Sequence, residues 1–188
     1  MITLDPKTSA LVLIDLQQGI LARPTAPRPA ADVLQTARTL AERFRDAGAP
    51  VVLVRVDWAA DYSDAPSSAV DEPTPRPPGG LPPAWSVLAD GLMSPSDIVI
   101  VKRHWGAFIG TELDLQLRRR GIRTLALGGI ATNFGVESTA RSAWEHGYEV
   151  VVVEDACASV STEAHNFAVR TIFPRIARVT TADAVGFA

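Results

Sequence analysis

At 188 residues, 47% of them hydrophobic and 21% charged, the chain has the size and apolar content of one domain (1–188) with a substantial core. A formal charge of -3 excludes the basic footprint of a nucleic-acid binder, and a single cysteine excludes a disulfide framework or Cys-rich zinc site and fits a reducing compartment. The opening Met1-Ile2-Thr3-Leu4-Asp5 has no basic region, and no apolar run nears the roughly 20 residues that cross a bilayer, so a cytoplasmic protein with no membrane partner is expected.

Short apolar runs alternate with amphipathic stretches along the chain, the pattern of strand-helix units around a parallel sheet buried on both faces. The first strand is read at 10–14. Val33, Leu34, Ala37, Leu40, Ala41 and Phe44 then recur at helical spacing, with Gly48 behind them as a left-handed cap. A second strand at 50–56 leads into a segment, 58–96, rich in proline and glycine. Proline removes backbone donors and fixes its own dihedral, so this segment is neither a regular strand nor a long helix. It is a surface excursion, a pocket wall or a subunit-contact arm.

A third strand at 97–101 precedes a helix beginning at Thr111-Glu112-Leu113-Asp114. Leu113 and Leu117 share its inner face, Asp114 is placed to return a capping bond, and Arg118-Arg119-Arg120 meets the helix dipole before Gly121. After a fourth strand at 124–127, the turn Gly128-Gly129-Ile130-Ala131-Thr132-Asn133-Phe134-Gly135 starts another helix. Its inner face is Val136, Ala140, Ala143 and Trp144, with Glu137 to Arg141 and Arg141 to Glu145 as ion pairs. A fifth strand at 149–153, a helix over 162–173 stopped by Pro174, and a weaker strand at 176–179 complete the pattern.

Ligands of open parallel sheets sit beyond the carboxyl ends of the strands, where Asp15, Lys102 and the turn after Leu127 all fall. Asp15 closes an apolar strand, where a carboxylate is costly unless paired, and Lys102 is its natural partner. The pair either fixes strand ends or carries chemistry. His104, Trp105 and Phe108 follow Lys102 and either line a pocket for a flat, small ligand or pack beneath the loop. Trp58 and Tyr62 open the long loop as further candidates, and Arg55 and Arg103 suit anionic substrates. Thr132 reads as a helix cap. His104, His146 and His165 lack metal-ligand spacing, and the glycines at 128, 129 and 135 fit neither nucleotide fingerprint, so no metal and no cofactor is implied.

Asp15-Leu16-Gln17, the K-x-x-x-G-A-F pattern from Lys102 to Phe108, and the Gly129-to-Asn133 turn occur in an order that resembles the isochorismatase-like hydrolases, a superfamily of mostly cysteine-dependent amidases. The likeness runs through Arg175-Ile176-Ala177-Arg178-Val179 and so covers essentially the whole chain. It implies a three-layer α/β/α fold with a six-stranded, mainly parallel sheet, a homo-oligomer (dimer or tetramer) and a small-molecule substrate, with Phe108 matching a family position as a pocket wall; Gln17, Trp58 and Trp105 are the other substrate-binding candidates. It further implies that Asp15 takes a thiol proton, that Lys102 holds Asp15, and that the turn of Ile130, Ala131, Thr132 and Asn133 forms an oxyanion hole with a cis peptide between Ile130 and Ala131.

The nucleophilic cysteine of most members falls at Gly135, whose hydrogen side chain can carry no acyl group. What remains is acid chemistry by Asp15. Phenazine-type isochorismatases likewise lack the cysteine, and for them the resemblance implies cleavage of a vinyl ether by protonation at carbon; they carry Ala-His where this chain has Thr132-Asn133. Nicotinamidases of the superfamily bind zinc through Asp-x-His, where this chain has Asp57-Trp58-Ala59. Two other readings stand beside the hydrolase: a non-catalytic binding or structural protein that keeps only the pocket, and a thiol hydrolase using Cys157.

Overall fold

The apolar runs pair into a six-stranded sheet in which every neighbour is parallel, seen in a computed structural model that describes residues 1–188. In chain order the elements are β1 (Ile2–Leu4), β2 (Ser9–Ile14), α1 (Gln18–Leu21), α2 (Ala30–Asp46), β3 (Val51–Val56), β4 (Ile98–Lys102) and α3 (Leu113–Arg119). Then come β5 (Thr124–Ile130), α4 (Glu137–Glu145), β6 (Glu149–Ala158), α5 (Thr162–Phe167), α6 (Phe173–Ile176), β7 (Arg178–Thr180) and β8 (Val185–Phe187). The large sheet runs β4-β3-β2-β5-β6-β7, and β1 pairs with β8 in a small second sheet.

Successive side chains of β2 point to opposite faces, and each face has its own core. Leu11 and Leu13 join Val33, Ala37, Leu40 and Phe44 of α2 on one side. Ala10, Val12 and Ile14 join Leu113, Leu117, Ala140 and Phe173 on the other. Helices thus cover both faces, which is the three-layer arrangement. A fully buried side chain such as Leu40 or Phe44 contributes roughly 1.5–3 kcal/mol through burial, so these stripes supply much of what fixes the layers.

Several elements depart from expectation. β5 and β6 run on to Ile130 and Ala158, beyond the ends read at 127 and 153, with a register shift between Leu127 and Gly129. The glycines permit this: a Cβ on Gly129 would lie 2.1 Å from the Ile14 carbonyl oxygen, and one on Gly128 2.9 Å from the Ala156 Cβ. Pro174 does not stop the last helix, because a wide helical turn at Ala168–Ile172 sets it in the first turn of α6, where its missing N–H is tolerated; the strand after it starts at Arg178, not 176. Trp144 is exposed rather than inward. The Asp114 carboxylate makes no cap; it accepts from Arg118 Nε at 3.0 Å and from the Tyr148 hydroxyl at 2.9 Å. Of the ion pairs read on α4, Glu137 with Arg141 forms.

The 58–96 segment folds without helix or strand and returns its aromatic residues to the carboxyl edge of the sheet. The Trp85 indole lies on the backbone of Gly19, where any Cβ would fall 1.9 Å from the ring, and stacks on Trp58 with centroids 5.8 Å apart. The segment runs over the surface, mostly exposed, and residues from Trp58 to Trp85 form part of a pocket wall. No helix is long and apolar enough to cross a membrane.

Candidate active site

β2 ends at Ile14, and the next residue, Asp15, turns into the left-handed region at φ 54 while its N–H donates to the Val54 carbonyl. Lys102 ends β4, with β3 lying between the two strands. Their side chains meet across the tip of β3: Lys102 Nζ lies 2.8 Å from Asp15 Oδ2 and donates to the His104 carbonyl at 2.9 Å. Both residues are buried, at 4% and 2% exposure. Asp15 Oδ1 is also buried and has no hydrogen-bond partner.

Loss of water is the largest influence on this carboxyl and outweighs the attraction of Lys102, so the Asp15 pKa is pushed up to about 6. The carboxyl therefore passes between acid and base forms near neutral pH, as proton-transfer groups do.

The two charges stand in the wall of a cavity of about 910 Å³. Ile130, Ala131, Phe134 and Gly135 line it from the turn after β5, Trp58 and Trp85 from the long loop, and His104 and Trp105 from the segment after β4. Trp105 meets the Phe134 ring edge-on at 4.7 Å. Arg23, Arg76 and Arg103 also line the cavity, Arg103 paired with Asp64 and Arg76 bonded to the Pro66 carbonyl. The peptide between Ile130 and Ala131 is cis.

Gly135 stands where the aspartate can reach it. A Cβ built there would lie 3.3 Å from Asp15 Oδ2, so a side chain at this position would sit beside the carboxylate. The same Cβ would fall 2.9 Å from Ile14 Cγ2, closer than packed carbons approach. Ile14 has packed into the space that a side chain at 135 would need.

Four sequence expectations require correction. Gln17 is fully buried and spent on structure: its amide bonds both backbone groups of Val56 and the Trp85 carbonyl, closing the end of β3 and tethering the long loop. Phe108 is no pocket wall; it stacks on His146 at 5.2 Å and lies by Tyr148 in the core, because Ala107 is tied by its N–H to the Thr139 hydroxyl. Thr132 caps no helix. Its hydroxyl lies 2.8 Å from His165 Nδ1, both side chains being fully buried, and Asn133 is bonded to Ser159, so neither side chain of the turn lines the cavity. Cys157 is buried against the Val153 carbonyl, and burial pushes its thiol up to about 12, which removes the thiolate that a nucleophile requires.

Reasoning from sequence passed over Trp85, Phe134 and Thr139. Thr139 takes the backbone N–H of Ala107 and gives its own proton to the Gly135 carbonyl at 2.6 Å, which couples the segment after β4 to the turn. Its placement four residues after Gly135 was the available signal, since a helical threonine bonds the carbonyl one turn back.

Comparison with known proteins places these features in context. Residues 9–184 match the family model described as the isochorismatase domain. The chain is 52% identical over 186 residues to the uncharacterized isochorismatase family protein YecD of Escherichia coli O157:H7, covering 98% of each. It is 40% identical to YwoC of Bacillus subtilis (strain 168), covering 97% of this chain and 94% of that one. Among solved structures, an isochorismatase family protein from Burkholderia thailandensis superposes with a TM-score of 0.93 at 48% identity, over 97% of this chain and 95% of its own.

Proposed function

The chain belongs to the isochorismatase family, and within it we propose a hydrolase that works without a nucleophilic cysteine on a small, carboxylated molecule. The observation that carries this reading is Asp15 itself: a buried carboxyl with one oxygen on Lys102 and the other unpartnered, in the wall of the cavity. Gly135 closes the covalent route. With a pKa near 6, about a tenth of the Asp15 carboxyls hold a proton at pH 7, enough to serve a general acid.

A vinyl ether suits this acid. Asp15 gives its proton to the terminal alkene carbon, a new C–H bond forms as the π bond is spent, and the ether oxygen stabilises the resulting cation. Lys102 steadies the carboxylate left behind. Water then adds to the cationic carbon, its spare proton returns to Asp15, and the hemiketal separates into a ketone and an alcohol. Arg23, in the cavity lining and without a carboxylate partner of its own, supports a carboxylated substrate. A homo-oligomer, dimer or tetramer, acting in the cytoplasm is part of the same proposal.

Turnover of a panel of small carboxylated vinyl ethers, esters and amides, in wild type and Asp15→Asn, tests the reading. Vinyl-ether cleavage that disappears in Asp15→Asn and survives thiol-blocking reagents is the expected result; undiminished turnover in the variant would overturn it. A binding protein that keeps the cavity without chemistry is the second reading. What favours it is Ile14 packed into the place of a side chain at 135, and turnover above background on any member of the panel would end it.

A further inference from the structure

Behind the cavity wall lies a buried polar cluster that the reaction above does not use. His165, on α5, is fully buried, and its Nδ1 lies 2.8 Å from the Thr132 hydroxyl in the wide turn Thr132–Val136. Its other ring nitrogen, Nε2, is buried without a hydrogen bond and lies 3.7 Å from Glu154 Oε1. The same Glu154 oxygen lies 3.9 Å from Arg28, whose guanidinium also donates to the backbone carbonyls of Glu154 and Cys157. The imidazole therefore stands between two structures that shape the cavity. On one side is the turn that presents Phe134 and Gly135; on the other is the segment carrying Arg23, Pro24 and Thr25, held by Arg28 and by paired backbone bonds between Ala26 and Ser159.

We propose that His165 is a positioning residue, which through the Thr132 hydroxyl sets the turn that holds Gly135 beside Asp15. No other side chain is bonded to that hydroxyl, and a turn whose inner face must stay open for ligand has to be held from behind. A histidine in this place also makes the hold sensitive to protonation, since a ring charged at both nitrogens can only donate to Thr132. The groups that set its charge are Glu154 on β6, Arg28 before α2 and Arg170 in the wide turn after α5; burial first, and then the Arg28 charge, hold His165 below its ordinary range against the pull of Glu154. The neutral ring is the resting form.

The consequence for turnover rests on the hydrolase reading; the positioning itself is tested without substrate. Amide 1H–15N spectra at pH 7 would be compared for wild type, His165→Leu, His165→Asn and Thr132→Val. Signals of Ala131 to Gly135 are expected to move in the Leu and Val variants and to stay at wild-type positions in His165→Asn, whose amide places a hydrogen-bonding atom near Nδ1. Turn signals that ignore His165→Leu, or that move equally in the Asn and Leu variants, would overturn the proposal. Should His165→Leu fail to fold, Thr132→Val carries the test, because it leaves the ring in place: unmoved signals from Phe134 and Gly135 in that variant overturn the proposal by themselves. With a vinyl-ether substrate in hand, a drop of about tenfold in kcat at unchanged KM is expected for Thr132→Val, in line with losses from remote misplacement; a change in KM alone would contradict positioning while leaving the acid role of Asp15 intact.

Discussion

Replacing Asp15 by asparagine removes a buried charge at almost constant shape, and its effect on stability depends on pH in a way the structure specifies. Burial raises the Asp15 carboxyl from 3.8 to about 6 despite the nearby Lys102. The folded protein thus holds this proton more tightly than the unfolded chain does. Below about pH 4 both states carry the proton and the favourable contribution is fully present; as pH rises the unfolded chain releases it first, and stability is lost up to and through pH 6. At 1.36 kcal/mol per pKa unit, a rise of about two units amounts to a loss of about 3 kcal/mol across that window. Urea unfolding of both proteins at pH 4, 5, 6 and 7 measures it. The constant offset between them includes the broken ion pair with Lys102, while the pH dependence of the offset isolates the carboxyl. Wild type is expected to lose about 2.4 kcal/mol relative to the variant between pH 4 and pH 7, most of the full window. An offset independent of pH would refute the argument, and one that grows in favour of wild type would mean that the carboxyl is held below its ordinary range.

Gly135→Ala sets a methyl 2.9 Å from Ile14 Cγ2 and 3.3 Å from Asp15 Oδ2, so a destabilisation of about 1–3 kcal/mol is expected in denaturant melts, together with weaker turnover. Gly135→Cys meets the same Ile14 methyl, and amidase activity is not expected to return from that single change. Lys102→Met keeps the stem and removes the ammonium, which leaves burial unopposed by its main counterweight; carboxyl-detected NMR is expected to show Asp15 titrating above 6, and an unchanged midpoint would show that the ion pair is unimportant. Cys157 is expected to resist a thiol reagent in the folded protein and to react only after unfolding, with activity untouched by treatment; rapid labelling of native protein would contradict its burial.

Much of the sheet was legible because strands buried on both faces are written as continuous apolar runs, as Leu11 to Ile14 and Val150 to Val153 show. The extension of β6 was not, since Glu154 and Asp155 interrupt the apolar run and are explained only by partners distant in sequence: Arg28 for Glu154, and the Ala182 N–H for Asp155. Asp15 and Lys102 could be placed at strand ends from the sequence, and topology brings them together. Gln17 and Phe108 read as ligand contacts because residue type and family position say nothing of which way a side chain turns; Gln17 turned to the backbone of β3 and Phe108 to His146. Thr132 misled for a similar reason, since its hydroxyl suits a cap but found a buried imidazole thirty-three positions away.

The role of Asp15 as an acid is tested most directly by the pH dependence of vinyl-ether turnover. The structure predicts a kcat/KM that is level below about pH 6 and falls tenfold per unit above it, as the carboxyl loses its proton. A rate that instead climbs through pH 6 would make Asp15 a base and contradict the mechanism.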